Sequence, residues 1–194
     1  MKLLEDLRAL AASPRELWIV YVMKLLESIA YFTVYTLLVI FLSDDHGYSD
    51  TDAGTVAGTW LTAISLVVFV SGFVADAMGI RRALLVAAIS TAIGRGLLAF
   101  SGSEVGIYTA LVLSVWGIAS MKPTMNAAVR AYTTPATVSF AFSLYYVVMN
   151  LGSLSQGPLI TEFREWFKTG QDIAGVIHPF DDVAVVRKLA GIAP

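Results

Sequence analysis

The sequence predicts an all-α membrane protein with five transmembrane helices and a C-terminal tail outside the membrane. Of its 194 residues, 57% are hydrophobic and only 14% are charged, whereas soluble domains usually carry about 25% charged residues. Five apolar runs are long enough to cross a bilayer, which takes about 20 residues of helix. The predicted spans are residues 17–42, 53–75, 83–100, 104–129 and 137–160.

Composition and motifs argue against several functional classes. The sequence has no cysteine, which removes disulfides and thiolate metal sites, and its two histidines, His46 and His178, lie far apart without ligand-like spacing. No nucleophile–base pair or phosphate-binding loop occurs. The net charge of −2 is small, and the basic residues lie at span ends. We therefore expect no metal, no cofactor, no nucleic-acid partner and no enzymatic activity.

Residues 1–16 form the first predicted segment. Leucines recur there at helical spacing between charged residues, which is typical of an amphipathic helix lying on the membrane surface. Pro14 ends this segment and suits the first turn of the next helix.

Span one contains two charged residues, Lys24 and Glu27, three positions apart and hence on one helix face. Charges at membrane depth are costly and usually face a cavity or a partner. Two interpretations stay open: either the two side chains neutralise each other, or they face a cavity in which they act on a ligand.

Span two begins after a short acidic loop. Ser49 followed by Asp52 predicts a capping box at its first turn. Gly54 and Gly58 are four residues apart on one face, which predicts a close contact with another helix.

A polar hairpin follows span two and organises the rest of the chain. The apolar run stops at Asp76, Gly79 turns the chain, and Arg81 and Arg82 keep the next apolar run from sliding into the membrane. Gly72 has no side chain, so we expect another helix to approach closely there. The residues alone also fit an ordinary loop on the positively charged side of a membrane.

Spans three and four each carry one internal cation. Arg95 lies near the far end of span three, and snorkelling to the interface is favoured slightly over a cavity role. Span four contains Lys122 followed by Pro123. After span five, residues 161–194 change in character and contain no further span.

The distribution of basic residues predicts the orientation. Lysine and arginine precede span one and follow spans two and four, while the loops after spans one and three have neither. The positive-inside rule then places the N-terminal segment in the cytoplasm and residues 161–194 outside as a tail or insertion. We expect a multi-pass protein of the plasma (inner) membrane.

The hairpin sequence resembles the loop signature Gly-x-x-x-Asp-x-x-Gly-x-Arg-Arg, which lies between the second and third helices of major facilitator superfamily transporters. Three further stretches, residues 27–42, 117–123 and 142–154, resemble motifs in the first, fourth and fifth helices of proton-coupled oligopeptide transporters. The resemblance covers about residues 17–158. It implies the N-terminal helix bundle of a secondary active transporter, with proton-coupled uptake of small peptides.

The resemblance also implies residue roles. Gly72, Asp76, Gly79, Arg81 and Arg82 would form a cytoplasmic gate motif that latches the two halves of the transporter. The cavity that couples protons to substrate would contain Lys24, Glu27, Tyr31, Tyr35, Lys122, Asn126, Tyr145 and Asn150.

The charges of the cavity point to an anionic substrate group. Lys24 stands where the family has a glutamate, and Ser28 where it has an arginine. The resulting cation favours a peptide carboxylate or another small anion. We hypothesise that Lys122 pairs with Glu27 in one state and contacts the substrate in another.

Five spans are one fewer than a six-helix half of such a transporter, whose two halves enclose the substrate. Three alternatives remain: the N-terminal part of a longer transporter, a split transporter whose other helices come from another chain, or a membrane subunit that binds partners and no longer transports by itself. In each case we expect the bilayer and further transporter helices as partners, with substrate and protons as the transported species.

Overall fold

The computed structural model describes residue 10 and residues 12–169, with side chains described as far as residue 163. Five helices make up this part of the chain: α1 Arg15–Ile40, α2 Asp50–Met78, α3 Ile80–Phe100, α4 Glu104–Ala131 and α5 Val138–Thr169, with a π-helical turn, Phe41–Asp45, after α1. All five helices are long and apolar enough to cross a membrane, which confirms the predicted spans.

Two segment boundaries differ from the prediction or lie outside the described residues. Helix α5 continues to Thr169, beyond the predicted end of span five at residue 160. Most of the predicted N-terminal surface helix (residues 1–9 and 11) and most of the predicted outer tail (residues 170–194) are not among the described residues. Their placement therefore stays a prediction.

Side-chain caps fix the starts of α2 and α4. The Ser49 hydroxyl accepts the backbone N–H of Asp52 at 3.2 Å and donates to the Asp52 carboxylate at 2.7 Å, so the predicted cap is confirmed. Ser103 accepts the backbone N–H of Gly106 at 3.2 Å in the same way. Such caps satisfy N–H groups that a helix end leaves without intrahelical partners.

Helix α4 lies at the centre of the bundle and has the largest number of buried residues. Helices α3 and α2 pack against it, and α1 packs mainly on α5. The Trp60 indole N–H donates to the Ser114 hydroxyl at 2.9 Å between α2 and α4, and the Tyr21 hydroxyl donates to the Ala141 carbonyl at 3.0 Å between α1 and α5. These two donors are thus paired with acceptors on a neighbouring helix.

Glycines on α3, α4 and α5 allow the closest helix contacts. A Cβ atom at Gly94 would lie 2.7 Å from the Ser114 backbone nitrogen, and one at Gly152 would lie 2.6 Å from the Ser28 Cβ. By contrast, a Cβ at Gly54 or Gly58 would meet no heavy atom within 4 Å in the described part of the chain. The helix contact predicted at Gly54 and Gly58 is therefore not formed here.

Ser114→Ala is expected to destabilise the chain by about 1–3 kcal/mol, because the buried Trp60 N–H loses its acceptor. Thermal unfolding in a mild detergent measures this. Ser65→Ala is the matched control, since the exposed Ser65 hydroxyl bonds only to the Leu61 carbonyl of its own helix. Equal losses in the two variants would contradict a structural role for the α2–α4 hydrogen bond.

Candidate functional site

A buried ion pair lies on the α1 face that points into the bundle. The Lys24 ammonium contacts one carboxylate oxygen of Glu27 at 2.8 Å, and the two residues are 5% and 6% exposed. Because the two positions are one helical turn apart, α1 alone sets this geometry. Along α1, the pair separates a buried apolar cluster around Leu17 and Tyr21 from another around Leu38 and Leu42.

Aromatic rings surround the cations of the site. The Lys24 Nζ atom lies 5.5 Å from the centre of the Tyr145 ring of α5. The Lys122 Nζ atom of α4 lies 5.1 Å from the centre of the Tyr31 ring of α1, which in turn stacks on Trp60 at 5.9 Å. Cations are attracted to ring faces at such distances, especially away from water. Lys24 therefore lies with Glu27 and Tyr145, and Lys122 lies with Tyr31.

Two ion pairs were predicted for Glu27, one with Lys24 and one with Lys122, and the first is present. Glu27 binds Lys24, and its hypothesised pair with Lys122 is not formed in this structure. Lys122 instead lies over Tyr31, and it still interacts electrostatically with Glu27. Lys24 lies one turn from Glu27 on the same helix, so this ion pair needs no movement of a second helix.

Three of the predicted cavity residues are exposed on the described chain. They are Tyr35, Asn126 and Asn150. Tyr145, in contrast, is buried, and its hydroxyl donates to the Met125 sulfur at 3.7 Å. Tyr35, Asn126 and Asn150 present polar groups on the exposed faces of α1, α4 and α5.

Arg95 of α3 has part of its guanidinium inside the bundle. Its Nε and Nη2 atoms are shielded from solvent and have no hydrogen-bond partner among the described residues. The preceding residue, Gly94, lets α3 approach the α4 backbone closely. The depth of Arg95 in the membrane, at the interface or beside a cavity, stays a prediction.

The gate motif forms a one-residue hairpin between α2 and α3. Gly79 has φ = +76°, a conformation that glycine adopts without strain. Asp76 and Arg82 are exposed, and Arg81 contacts the exposed Glu16 carboxylate at 3.5 Å. A Cβ at Gly72 would meet nothing within 4 Å in the described residues. The predicted helix contact at Gly72 is not made within this part of the chain.

Comparison with known proteins gives the family. Residues 20–163 match the family model described as Major Facilitator Superfamily. The chain belongs to the major facilitator superfamily. It is thus an integral membrane protein of a transporter superfamily, which is not an enzyme class.

Curated relatives within the superfamily include peptide permeases. The chain is 25% identical over 144 residues to dipeptide and tripeptide permease A of Citrobacter koseri, and 24% identical over 144 residues to that of Escherichia coli strain K12. Each match covers 72% of this chain but only 29% of the permease. The chain therefore corresponds to less than a third of these superfamily relatives.

Solved structures share the fold. A POT family transporter in complex with 5-aminolevulinic acid superposes with a TM-score of 0.72 at 23% identity, covering 77% of this chain and 32% of that one. A peptide transporter POT in complex with sulfate gives a TM-score of 0.67 at 19% identity, covering 92% and 43%. These likenesses confirm a superfamily helix bundle similar to that of POT transporters.

Proposed function

We propose that the chain supplies the substrate-handling and proton-handling helices of a secondary active transporter that takes up small peptides, or a related small anionic solute, together with protons. The observation that carries this proposal is the buried Glu27 carboxylate. One of its oxygens binds Lys24 and the other, Oε1, has no partner among the described residues. A buried ionisable group in a membrane helix is by default a functional site.

The charge balance of the buried group supports an anionic substrate group. Lys24 and Lys122 contribute two cations around the single carboxylate of Glu27. In a medium of low dielectric constant an uncompensated cation attracts an anion strongly. We infer that a substrate carboxylate is drawn to the cations Lys24 and Lys122, and that Glu27 is the group that binds the coupling proton.

Further transmembrane helices complete the transporter in this proposal, either in the same longer chain or in another. The exposed polar residues Tyr35, Asn126 and Asn150 would face the cavity that those helices close. A groove of about 480 Å³ between α1 and α3, with mainly apolar walls, offers these further helices a second surface on which to pack. Gly72, Asp76, Arg81 and Arg82 would latch the halves at the cytoplasmic face of the plasma membrane.

The decisive experiment is uptake of a labelled dipeptide into proteoliposomes under an inward proton gradient. The natively expressed protein is used, with whatever co-purifies in mild detergent, and its intact mass is measured first. The proposal predicts uptake that collapses when the proton gradient is dissipated. Gradient-independent uptake would contradict proton coupling. If no small anionic solute or peptide is taken up, the membrane-subunit alternative replaces the transporter.

Lys122→Ala is expected to reduce this uptake at least about tenfold, because losing one charged contact with substrate costs on the order of 1.5–3 kcal/mol. Arg130→Gln is the matched control, since Arg130 is an exposed cation on the same helix. We expect that control to keep wild-type uptake. Unchanged uptake in Lys122→Ala would remove Lys122 from the substrate site.

A further inference from the structure

Unpartnered polar atoms occur inside the bundle on both α1 and α3. The charged groups among them are Glu27 on α1, through Oε1, and Arg95 on α3, through Nε and Nη2; the neutral ones include Ser28 Oγ on α1, Ser120 Oγ on α4 and Gln156 Oε1 on α5. All are shielded from solvent and lack a hydrogen-bond partner among the described residues. A buried charged group without a partner is costly, so each of these atoms calls for a physical explanation.

The alignment of α1 and α3 brings these atoms to similar membrane depth. Arg81 contacts Glu16 at 3.5 Å, so the first turns of the two helices lie at a similar level along the bundle. Both helices line one groove in parallel order, from Glu16 to Met23 on one wall and from Ile80 to Ala88 on the other. Equal rises of about 21 Å from this contact lead to Arg95 on α3 and to Ala30 on α1.

The side-chain geometry reduces the difference in depth between the Arg95 guanidinium and the Glu27 carboxylate. Helical side chains lean toward the N-terminus. On two parallel helices both lean the same way, and the longer Arg95 side chain reaches back further than that of Glu27, which reduces the difference of about one turn. Glu27 indeed acts electrostatically on Arg95 as well as on Lys122. The guanidinium and the free carboxylate oxygen thus lie at similar depth in the bundle, and neither has a hydrogen-bond partner among the described residues.

We propose that Arg95 is a positioning residue that takes over the Glu27 carboxylate, through its free Oε1, when Lys24 is engaged by the substrate. This rests on the proposed transport function. The groups that face Glu27 are Lys24 and Tyr31 on α1, Arg95 on α3, Lys122 on α4 and Tyr145 on α5. Of the three cations, Arg95 has the planar fork of donors that suits a carboxylate.

This role has a physical consequence for the transport cycle. Without a second partner, releasing Lys24 would leave Glu27 as an isolated buried carboxylate, which is strongly unfavourable. With Arg95 in place, the carboxylate changes partner without losing its compensation. Lys24 is then free to bind the substrate anion while Glu27 stays in position.

A double-mutant cycle tests the inference without relying on transport. Arg95→Gln is made in the wild-type chain and in Glu27→Gln, and unfolding is followed in mild detergent. With Glu27 present, Arg95 is attracted to a carboxylate; without it, Arg95 is one of three uncompensated cations. We therefore expect Arg95→Gln to favour the folded state more in the Glu27→Gln background, by about fivefold in the unfolding equilibrium constant, a size typical of neighbouring residues.

Control variants make the outcomes distinct. Arg130→Gln, which replaces an exposed arginine on α4, should give the same effect in both backgrounds. Arg95→Lys keeps the charge but loses the fork of donors, so it should retain only part of the coupling and of the uptake that Arg95→Gln lowers. An identical effect of Arg95→Gln in both backgrounds overturns the inference, even if transport is found. If the double-mutant cycle shows coupling but the wild-type protein takes up no substrate, the Arg95–Glu27 contact is supported and only the proposed function is overturned.

Discussion

Glu27→Gln is expected to destabilise the chain by about 3–5 kcal/mol, because it removes one partner of a buried ion pair and leaves the other charge uncompensated. Lys24 is 5% exposed and its ammonium contacts Glu27 at 2.8 Å. The variant also leaves Lys122 and Arg95 without the carboxylate that now acts on both. Thermal or denaturant unfolding in mild detergent measures the loss.

The matched test removes both charges at once. Lys24→Met combined with Glu27→Leu replaces the pair by apolar side chains of similar size, a change that is often neutral or stabilising in proteins. We expect it to recover most of the stability lost in Glu27→Gln while abolishing proton-driven uptake. Glu16→Gln is the surface control, and its loss should stay below about 1 kcal/mol, since Glu16 and Arg81 form an exposed pair. Persistent instability of the double variant would show that burial of the charges is not the cause.

The features predicted correctly from the sequence were those set by local pattern. Five apolar runs of bilayer length gave the five helices, and the Ser49-x-x-Asp52 spacing gave the cap of α2. The positions of Lys24 and Glu27 placed both on one face, where they do meet. Each of these depends on residues within a turn or a span, so no knowledge of the packing was needed.

The features that were missed depend on which face of a helix meets which neighbour. Gly54 and Gly58 have the spacing of a helix contact, yet no heavy atom of the described residues lies within 4 Å of a Cβ added there, whereas Gly94 lies directly against the α4 backbone. The position of Arg95 along α3 left open how far its side chain is shielded, and in the packed bundle its Nε and Nη2 atoms are shielded from solvent. For the site, the sequence supplied the residue types, and the tertiary packing decided the partners.

Gly117→Ala is expected to cost about 1–3 kcal/mol, the usual range for overpacking a close interface. An added Cβ would lie 2.7 Å from both the Ala87 carbonyl oxygen and the Thr91 backbone nitrogen of α3. Backbone atoms cannot move aside as a flexible side chain does, so α3 must shift away from α4. Thermal unfolding in mild detergent measures the cost.

Gly58→Ala is the matched control, because Gly58 lies inside α2 with no heavy atom within 4 Å of an added Cβ. Alanine has the higher helix propensity, so this variant should be neutral or stabilising by up to about 1 kcal/mol. The two variants share one chemical change and differ only in what the new methyl group meets. Since Arg95 lies one turn after Thr91 on α3, a shifted α3 also moves its guanidinium, and uptake should fall in Gly117→Ala alone. Equal behaviour of the two variants would mean that glycine does not set the α3–α4 distance.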